Sequence, residues 1–281
     1  MKNIIVGIDF SASSLNALKH AIAISIKTHG RLHLVWVKTP SFTNKVSREQ
    51  MKKAMQKVQK ALDDLIVETK REVPKNEVLS VILDGKTSTE LTKYAANFAE
   101  SIIVIGTHGM SGQDVFAGSN AMKAVGLTTV PILILREEVK INRDLVQILV
   151  PIDPSFETLQ KMKFATRIAK AFAAKILLLG LNNPPTAEIK HTITVQLQHA
   201  STMCKDAKIR HAVTAVDVTG NATEAIINYA QDKDINLIIV MREEEDDFSN
   251  FWVGSDTRRM VNTSPMPIVV IPNVNYFAVS K

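Results

Sequence analysis

Short apolar runs alternate with segments of helical spacing through the first half of the chain. The apolar runs predict five strands, at 2–9, 31–37, 78–83, 102–105 and 130–135. Apolar residues that recur at helical spacing predict four helices, at 13–28, 47–72, 87–99 and 119–126. The segment 40–44 is predicted to be a loop. Strands that alternate with helices in this way favour a mostly parallel, doubly wound sheet.

The same pattern is written a second time after a polar stretch at 136–144. The run ILVPID at 148–153 corresponds to IIVGID at 4–9, at an offset of 144. The pair GS at 254–255 corresponds to GS at 118–119, and PI at 267–268 to PI at 131–132, both at an offset of 136. A repeated supersecondary pattern predicts tandem copies of one fold. We therefore expect two five-stranded α/β domains with parallel sheets, at 1–138 and 145–276.

The composition is typical of a globular protein with a sizeable core. Of the 281 residues 46% are hydrophobic and 22% charged, and there is no run of 18 apolar residues, which a transmembrane helix needs. The N-terminal segment lacks the apolar region of a secretory signal and is better explained as a first strand. Cys204 is the only cysteine, so an internal disulfide is excluded. Together these features predict a cytoplasmic protein with no membrane partner.

Positive charge is concentrated in the first copy. Residues 1–140 carry 19 Lys and Arg against 13 Asp and Glu, a net charge of +6, whereas residues 141–281 carry 15 of each. A basic half favours anionic ligands, although much of the excess lies on the predicted helix at 47–72. The sequence shows no basic strand with interleaved aromatic residues, so we expect no nucleic-acid partner.

The stretch 101–131 carries the strongest chemical signal. An apolar run ends abruptly at Gly106, Gly109 and Gly118 follow, and Ser119 begins a segment with helical spacing. Glycines let backbone N–H groups approach a ligand closely, and the N-terminus of a helix adds a positive dipole. This combination predicts a site that holds an anion such as phosphate.

The corresponding loop of the second copy differs. Its strand at 237–240 continues into Met241 and Arg242 and then into five consecutive carboxylates at 243–247, with no glycine. Side chains block close backbone approach, and carboxylates repel phosphates. We therefore expect the second copy to bind no nucleotide and to act as a structural or dimerisation partner.

Other signals are weak. The sequence GKT at 85–87 resembles the end of a P-loop, but Ser80 stands where that motif needs a glycine, so Gly85 is interpreted as a turn residue. His191, His199 and His211 lack the spacing of metal ligands on a helix. There is also no nucleophile–base pair, so we predict no catalytic residue and no metal site.

These motifs resemble those of the universal stress protein family, in a tandem form with two domains. The resemblance rests on VGID at 6–9, GTHG at 106–109, GS at 118–119 and VPI at 130–132, which occur in the family's order. It implies a Rossmann-like fold related to the adenine nucleotide α-hydrolases. It also implies that the first copy binds ATP, with Mg²⁺ accompanying it.

The family also implies which residues form the site. Asp9 is expected near the adenine and ribose, Val37 against the base, and the glycines and following hydroxyl around the phosphates. The residues assigned in this way are Asp9, Val37, Gly106, Thr107, His108, Gly109, Gly118, Ser119 and Asn120. Only eight residues separate Gly109 from Gly118, one fewer than is usual in the family.

Three functions stay open at this point. The leading one is a cytoplasmic stress-response or signalling protein that binds an adenine nucleotide and is not an enzyme, slow ATP hydrolysis aside. The shortened loop favours an alternative, an interaction scaffold of the same fold that binds no nucleotide. A minor alternative is an ATP-consuming enzyme of the α-hydrolase class, for which 10–14 supplies serines but no glycine.

The family further implies how domains pair. The last strand of one domain often pairs with that of another, so 132–135 and 268–271 are expected to pair within one molecule as a pseudo-dimer. An unknown protein partner and a homodimer are further expectations.

Overall fold

The computed structural model describes residues 1–43, 47–107, 119–137, 139, 144–242 and 254–273. The chain separates into two compact units, Met1–Ile141 and Asn142–Lys281. Each unit is built from alternating strands and helices around a parallel sheet. The predicted fold class, one α/β pattern present twice, is therefore confirmed.

The first unit has five strands in the order β3-β2-β1-β4-β5. The strands are β1 (Asn3–Gly7), β2 (Arg31–Lys38), β3 (Val78–Asp84), β4 (Ser101–Thr107) and β5 (Ile132–Arg136). The helices are α1 (Ala12–Thr28), α2 (Pro40–Thr43), α3 (Arg48–Glu72), α4 (Thr87–Ala96) and α5 (Ser119–Leu127). The central strands are covered on both faces, so their sequences are continuous apolar runs rather than alternating ones.

Two predicted boundaries in this unit were wrong. Within the segment predicted as a loop at 40–44, Pro40–Thr43 forms the short helix α2, because Pro40 suits a first helical position and Phe42 packs edge-on against Trp36, with ring centroids 5.3 Å apart. Asn44 lies outside the described residues. Helix α4 ends at Ala96, before the predicted end at 99, and the chain then reaches β4 through Glu100, whose φ is 55°.

The second unit repeats this arrangement with strands in the order β8-β7-β6-β9-β10. The strands are β6 (Gln147–Ile152), β7 (Lys175–Asn182), β8 (His211–Asp217), β9 (Leu237–Met241) and β10 (Ile268–Ile271). The helices are α6 (Met162–Phe172), α7 (Ala187–Asp206), α8 (Ala222–Asp232) and α9 (Ser255–Thr263). A 3₁₀ helix at Phe156–Leu159 precedes α6, so the counterpart of α1 is interrupted.

Chain order reverses at one place in each sheet. In the first unit β1 lies between β2 and β4, and in the second β6 lies between β7 and β9. Such a switch point leaves a crevice beyond the carboxyl ends of the strands, where ligands of open α/β sheets bind. No helix within the described parts of the chain is long and apolar enough to cross a membrane.

Candidate functional site

Asp9 lies just beyond the end of β1, at the switch point of the first unit. Its side chain is exposed, and its Oδ1 accepts hydrogen bonds from Ser11 N at 3.0 Å and Ser11 Oγ at 2.5 Å. Ser11 is also the N-cap of α1, where its Oγ accepts from Ser14 N at 3.2 Å. The carboxylate is therefore held in one orientation by the turn that begins α1.

The strand register brings three of the expected site residues to one edge. Gly7 pairs with Val35 of β2, and Val6 pairs with Val104 of β4. Continued by the same offsets, this register places Asp9 level with Val37 and with Thr107. Val37 and Thr107 are mostly buried, at 9% and 6% exposure, whereas Asp9 is exposed.

Gly106 has a structural role that the sequence did not reveal. A Cβ added at Gly106 would lie 2.1 Å from the carbonyl oxygen of Ser13, far inside van der Waals contact. The position that a side chain would occupy at residue 106 is therefore filled by backbone of the first turn of α1. Gly106 thus lets α1 begin directly against the end of β4.

The remaining expected site residues are described only in part. His108, Gly109 and Gly118 lie outside the described residues. Ser119 begins α5, as predicted from its position, and Asn120 in the first turn of that helix is exposed. The end of α5 that carries partial positive charge is therefore present in the first unit.

The second unit contains a cavity of about 670 Å³ beyond the carboxyl ends of β6 and β9. It lies at the same edge of its sheet as Asp9 does in the first unit, and the first turns of α8 and α9 form part of its wall. The charged side chains that line it are Asp153, Glu157, Lys161, Arg242 and Asp256. This volume is in the range of small-molecule sites.

Lys161 is a charged residue buried beside this cavity. Its side chain is 1% exposed, and its Nζ donates to Thr158 Oγ1 at 2.9 Å and lies 3.6 Å from Asp153 Oδ2. Thr158 Oγ1 donates in turn to Asp153 Oδ2 at 3.0 Å, and Ser155 N donates to Asp153 Oδ1 at 2.9 Å. The aspartate and lysine therefore form a compact, internally neutralised pair.

Burial and this pairing shift both pKa values. Burial alone would raise the pKa of Asp153, but the Lys161 ammonium and the hydrogen bonds from Ser155 and Thr158 outweigh it and hold the pKa below its usual value. For Lys161, burial lowers the pKa, and the Asp153 carboxylate opposes that effect only in part. Asp153 thus stays ionised in a largely apolar surrounding.

Sequence reasoning missed Lys161 and the cavity because it judged the second copy by its loop. The repeat did contain a signal, since the offset of 144 that aligns Asp153 with Asp9 also aligns Lys161 with Ala17. A lysine at a position that is apolar in the other copy indicates a changed site. Nothing in spacing alone showed that its ammonium would be buried.

No metal centre is found in the parts of the chain that the structure describes. There, no group of three or more His, Cys, Asp or Glu side chains is arranged to hold a metal ion. Cys204 is buried, and burial raises the pKa of its thiol to about 11, which suppresses the reactive thiolate.

Comparison with known proteins settles the family. The model of the universal stress protein family matches residues 1–136 and, a second time, residues 146–272. The chain belongs to the universal stress protein family. The sequence-based assignment to a tandem member is thereby confirmed. No curated protein sequence matches the chain.

Solved structures show the same fold over the whole chain. A universal stress protein from Archaeoglobus fulgidus is 17% identical, with a TM-score of 0.78 over 96% of this chain and 98% of that one. A protein of unknown function from Pseudomonas aeruginosa is 18% identical, with a TM-score of 0.66 over 97% of this chain and 92% of that one. At these identities the likeness concerns the fold alone.

Proposed function

We propose that this universal stress protein binds an adenine nucleotide, ATP with Mg²⁺, through its first unit, and that binding serves stress response or signalling in the cytoplasm. The proposal rests on the register of β1 with β2 and β4, which, extended two residues past the end of β1, aligns Asp9 with Val37 and Thr107 at the switch point of the first sheet. Ligands of open α/β sheets bind at that place. The sequence motifs of the family fall on the same residues.

The proposed roles follow from the chemistry of each group. The Asp9 carboxylate, oriented by Ser11, accepts hydrogen bonds from the ribose hydroxyls or the adenine amine. Val37 offers an apolar surface to the base at the end of β2. The triphosphate, which Asp9 would repel, is assigned to the N-terminus of α5 at Ser119, which favours negative charge.

The proposal assigns no catalytic residue. Binding acts by changing the surface that the first unit offers to a partner protein, and the second unit binds no nucleotide in this scheme. The homodimer and the pairing of the last strands, both expected from the sequence, stay predictions. Sedimentation equilibrium of the whole chain tests the homodimer.

The test is calorimetric titration of the whole chain with ATP and Mg²⁺. We expect one site per chain and a weakening of about ten- to one-hundredfold in Asp9→Asn, because a charge-assisted hydrogen bond contributes about 1.5–3 kcal/mol. The matched control is the double variant Asp153→Asn/Lys161→Met, which changes the corresponding aspartate of the second unit without leaving a buried charge unpaired. Its ATP affinity should equal that of the unchanged protein.

Two results would overturn the proposal. Absence of binding at millimolar protein and ligand would favour the interaction scaffold that binds no nucleotide, the reading that the eight-residue spacing supports. Pyrophosphate released from ATP in the presence of a second substrate would favour an enzyme of the α-hydrolase class instead.

A further inference from the structure

We propose that the cavity of the second unit is a separate binding site for a small organic amine that carries an apolar body. The cavity is about 670 Å³, enough for a ligand of drug-like size. The described residues that line it all belong to the second unit, so the proposal does not depend on nucleotide binding by the first unit.

The charged side chains of the wall favour a cation over an anion. The N-termini of α8 and α9, which favour anions, each carry an acidic residue in the first turn, Glu224 and Asp256. Lys161 contributes no net attraction to anions, because its buried ammonium is turned to Thr158 and neutralised by Asp153. Among the described residues of the wall, this leaves Glu157 and Asp256 against Arg242, an excess of one negative charge.

The hydrogen-bonding groups of the wall favour a donor. Asn273 lines the cavity, and its buried Oδ1 accepts no hydrogen bond from the residues that the structure describes. Asp153 adds carboxylate oxygens that are 39% exposed; they already accept from Ser155 and Thr158, and beside Lys161 they add no net charge. An ammonium group has three donors and no acceptor, so it satisfies such oxygens where a carboxylate or phosphate cannot.

The opposite wall is apolar. The side chains that form it come from the ends of β7 and β9 and from α8 and α9, and they are Leu181, Ile226, Val240, Met241 and Met260. Each of these residues is more than nine-tenths buried, so this wall is part of the packed core. Methionines adapt to irregular apolar groups, which suits an aryl or alkyl body without fixing its shape.

The first unit does not share these features. At the position of Lys161 it has Ala17, and at the position of Met241 it has Gly106. The two units therefore present different chemistry at corresponding edges of their sheets, and the second is built for a ligand of the opposite charge to ATP.

The test uses three probes of one shape: phenethylamine, 2-phenylethanol and 3-phenylpropionate. We expect saturable binding of phenethylamine to the whole chain in calorimetry or ligand-detected NMR, about tenfold tighter than that of the alcohol. The carboxylate should bind more weakly still. Equal or tighter binding of 3-phenylpropionate, or no saturable binding of phenethylamine, overturns the proposal.

Variants locate the site. Glu157→Gln and Asp256→Asn each remove one carboxylate of the wall and should weaken phenethylamine binding several-fold. Ile226→Trp fills the cavity and should abolish binding. Asp153→Asn alone would leave the buried Lys161 ammonium without a partner. The role of Asp153 is therefore tested in the double variant Asp153→Asn/Lys161→Met. Unchanged affinity in all of these folded variants contradicts the proposal.

The first unit supplies the control. Asp9→Asn should leave phenethylamine binding as it is, whatever it does to ATP. ATP and phenethylamine should also bind without competition. Competition between them, or loss of amine binding in Asp9→Asn, would move the amine to the first unit and overturn this inference, while failure of ATP binding alone would bear only on the proposed function.

Discussion

His33 in β2 has a nearly fully buried imidazole, 1% exposed, in an aromatic setting. Its Nδ1 lies 2.8 Å from the Tyr94 hydroxyl and its Nε2 3.2 Å from Asn3 Oδ1, and the Phe98 ring packs 4.8 Å away. A neutral ring fits both contacts, because Nε2–H donates to the amide oxygen while Nδ1 accepts from the hydroxyl. The native state therefore holds His33 in its neutral form.

The charge state of His33 predicts a loss of stability in acid. Burial, with a smaller contribution from the positive charge of Arg31, lowers the pKa of His33 to about 4, from 6.5 in an unfolded chain. The unfolded state binds the proton first, so the stability is fully present above pH 6.5 and is lost as the pH falls toward 4. The difference corresponds to about 3 kcal/mol in the free energy of unfolding. Urea unfolding of the protein at several pH values between 6.5 and 4 measures this change in the unfolding free energy.

A histidine outside the core gives the comparison. His33→Gln should flatten the dependence of unfolding free energy on pH between 6.5 and 4. The control His29→Asn replaces an exposed histidine at the left-handed end of α1, a conformation that asparagine tolerates, and should leave the slope as it was. Equal slopes in His33→Gln and the unchanged protein would show that another group is responsible.

At the scale of elements, the start of α1 depends on the end of β4. Helix α1 runs unbroken from Ala12 to Thr28, with its first turn against Gly106. In the second unit Met241 takes the place of Gly106, and the segment that corresponds to α1 is interrupted between Leu159 and Met162. The unit with Gly106 at the end of its strand has a continuous first helix, and the unit with the Met241 side chain at that position has an interrupted one.

Gly106→Ala should therefore disturb the first turn of α1 and, with it, Asp9. The new Cβ would lie 2.1 Å from Ser13 O, and that backbone cannot yield without moving the turn. We expect a loss of about 1–3 kcal/mol in unfolding free energy, as for overpacked sites, measured by urea unfolding. The control is Gly220→Ala, where an added Cβ meets nothing within 4 Å. Equal stability of both variants would contradict this account.

The sequence was most informative about elements and least about side-chain environment. The apolar runs located the strands of the first unit, and α1 begins one residue before its predicted start at 13. Boundaries failed where tertiary contacts decided them, as at α2, which Trp36 supports. The burial of Lys161 could not be predicted, because a lysine in a helical pattern normally marks a solvated face.

At the scale of the whole molecule, the two copies keep one fold and differ in the chemistry at the edge of each sheet. The fold follows from strand and helix patterns that both copies share. The chemistry follows from a few positions, chiefly Ala17 against Lys161 and Gly106 against Met241. Duplication allows such divergence, because each unit has its own core and its own crevice.

This division predicts that each ligand stabilises a different unit. A ligand at about one hundred times its Kd adds about 2.7 kcal/mol to the stability of the state that binds it. Hydrogen exchange reports the units separately, because the amides of β1 and β4 belong to the first and those of β6 and β9 to the second. ATP with Mg²⁺ should slow exchange by up to about one hundredfold in β1 and β4, and phenethylamine should do so in β6 and β9. The same strands protected by both ligands would show one shared site and would contradict the division of ligands between the two copies.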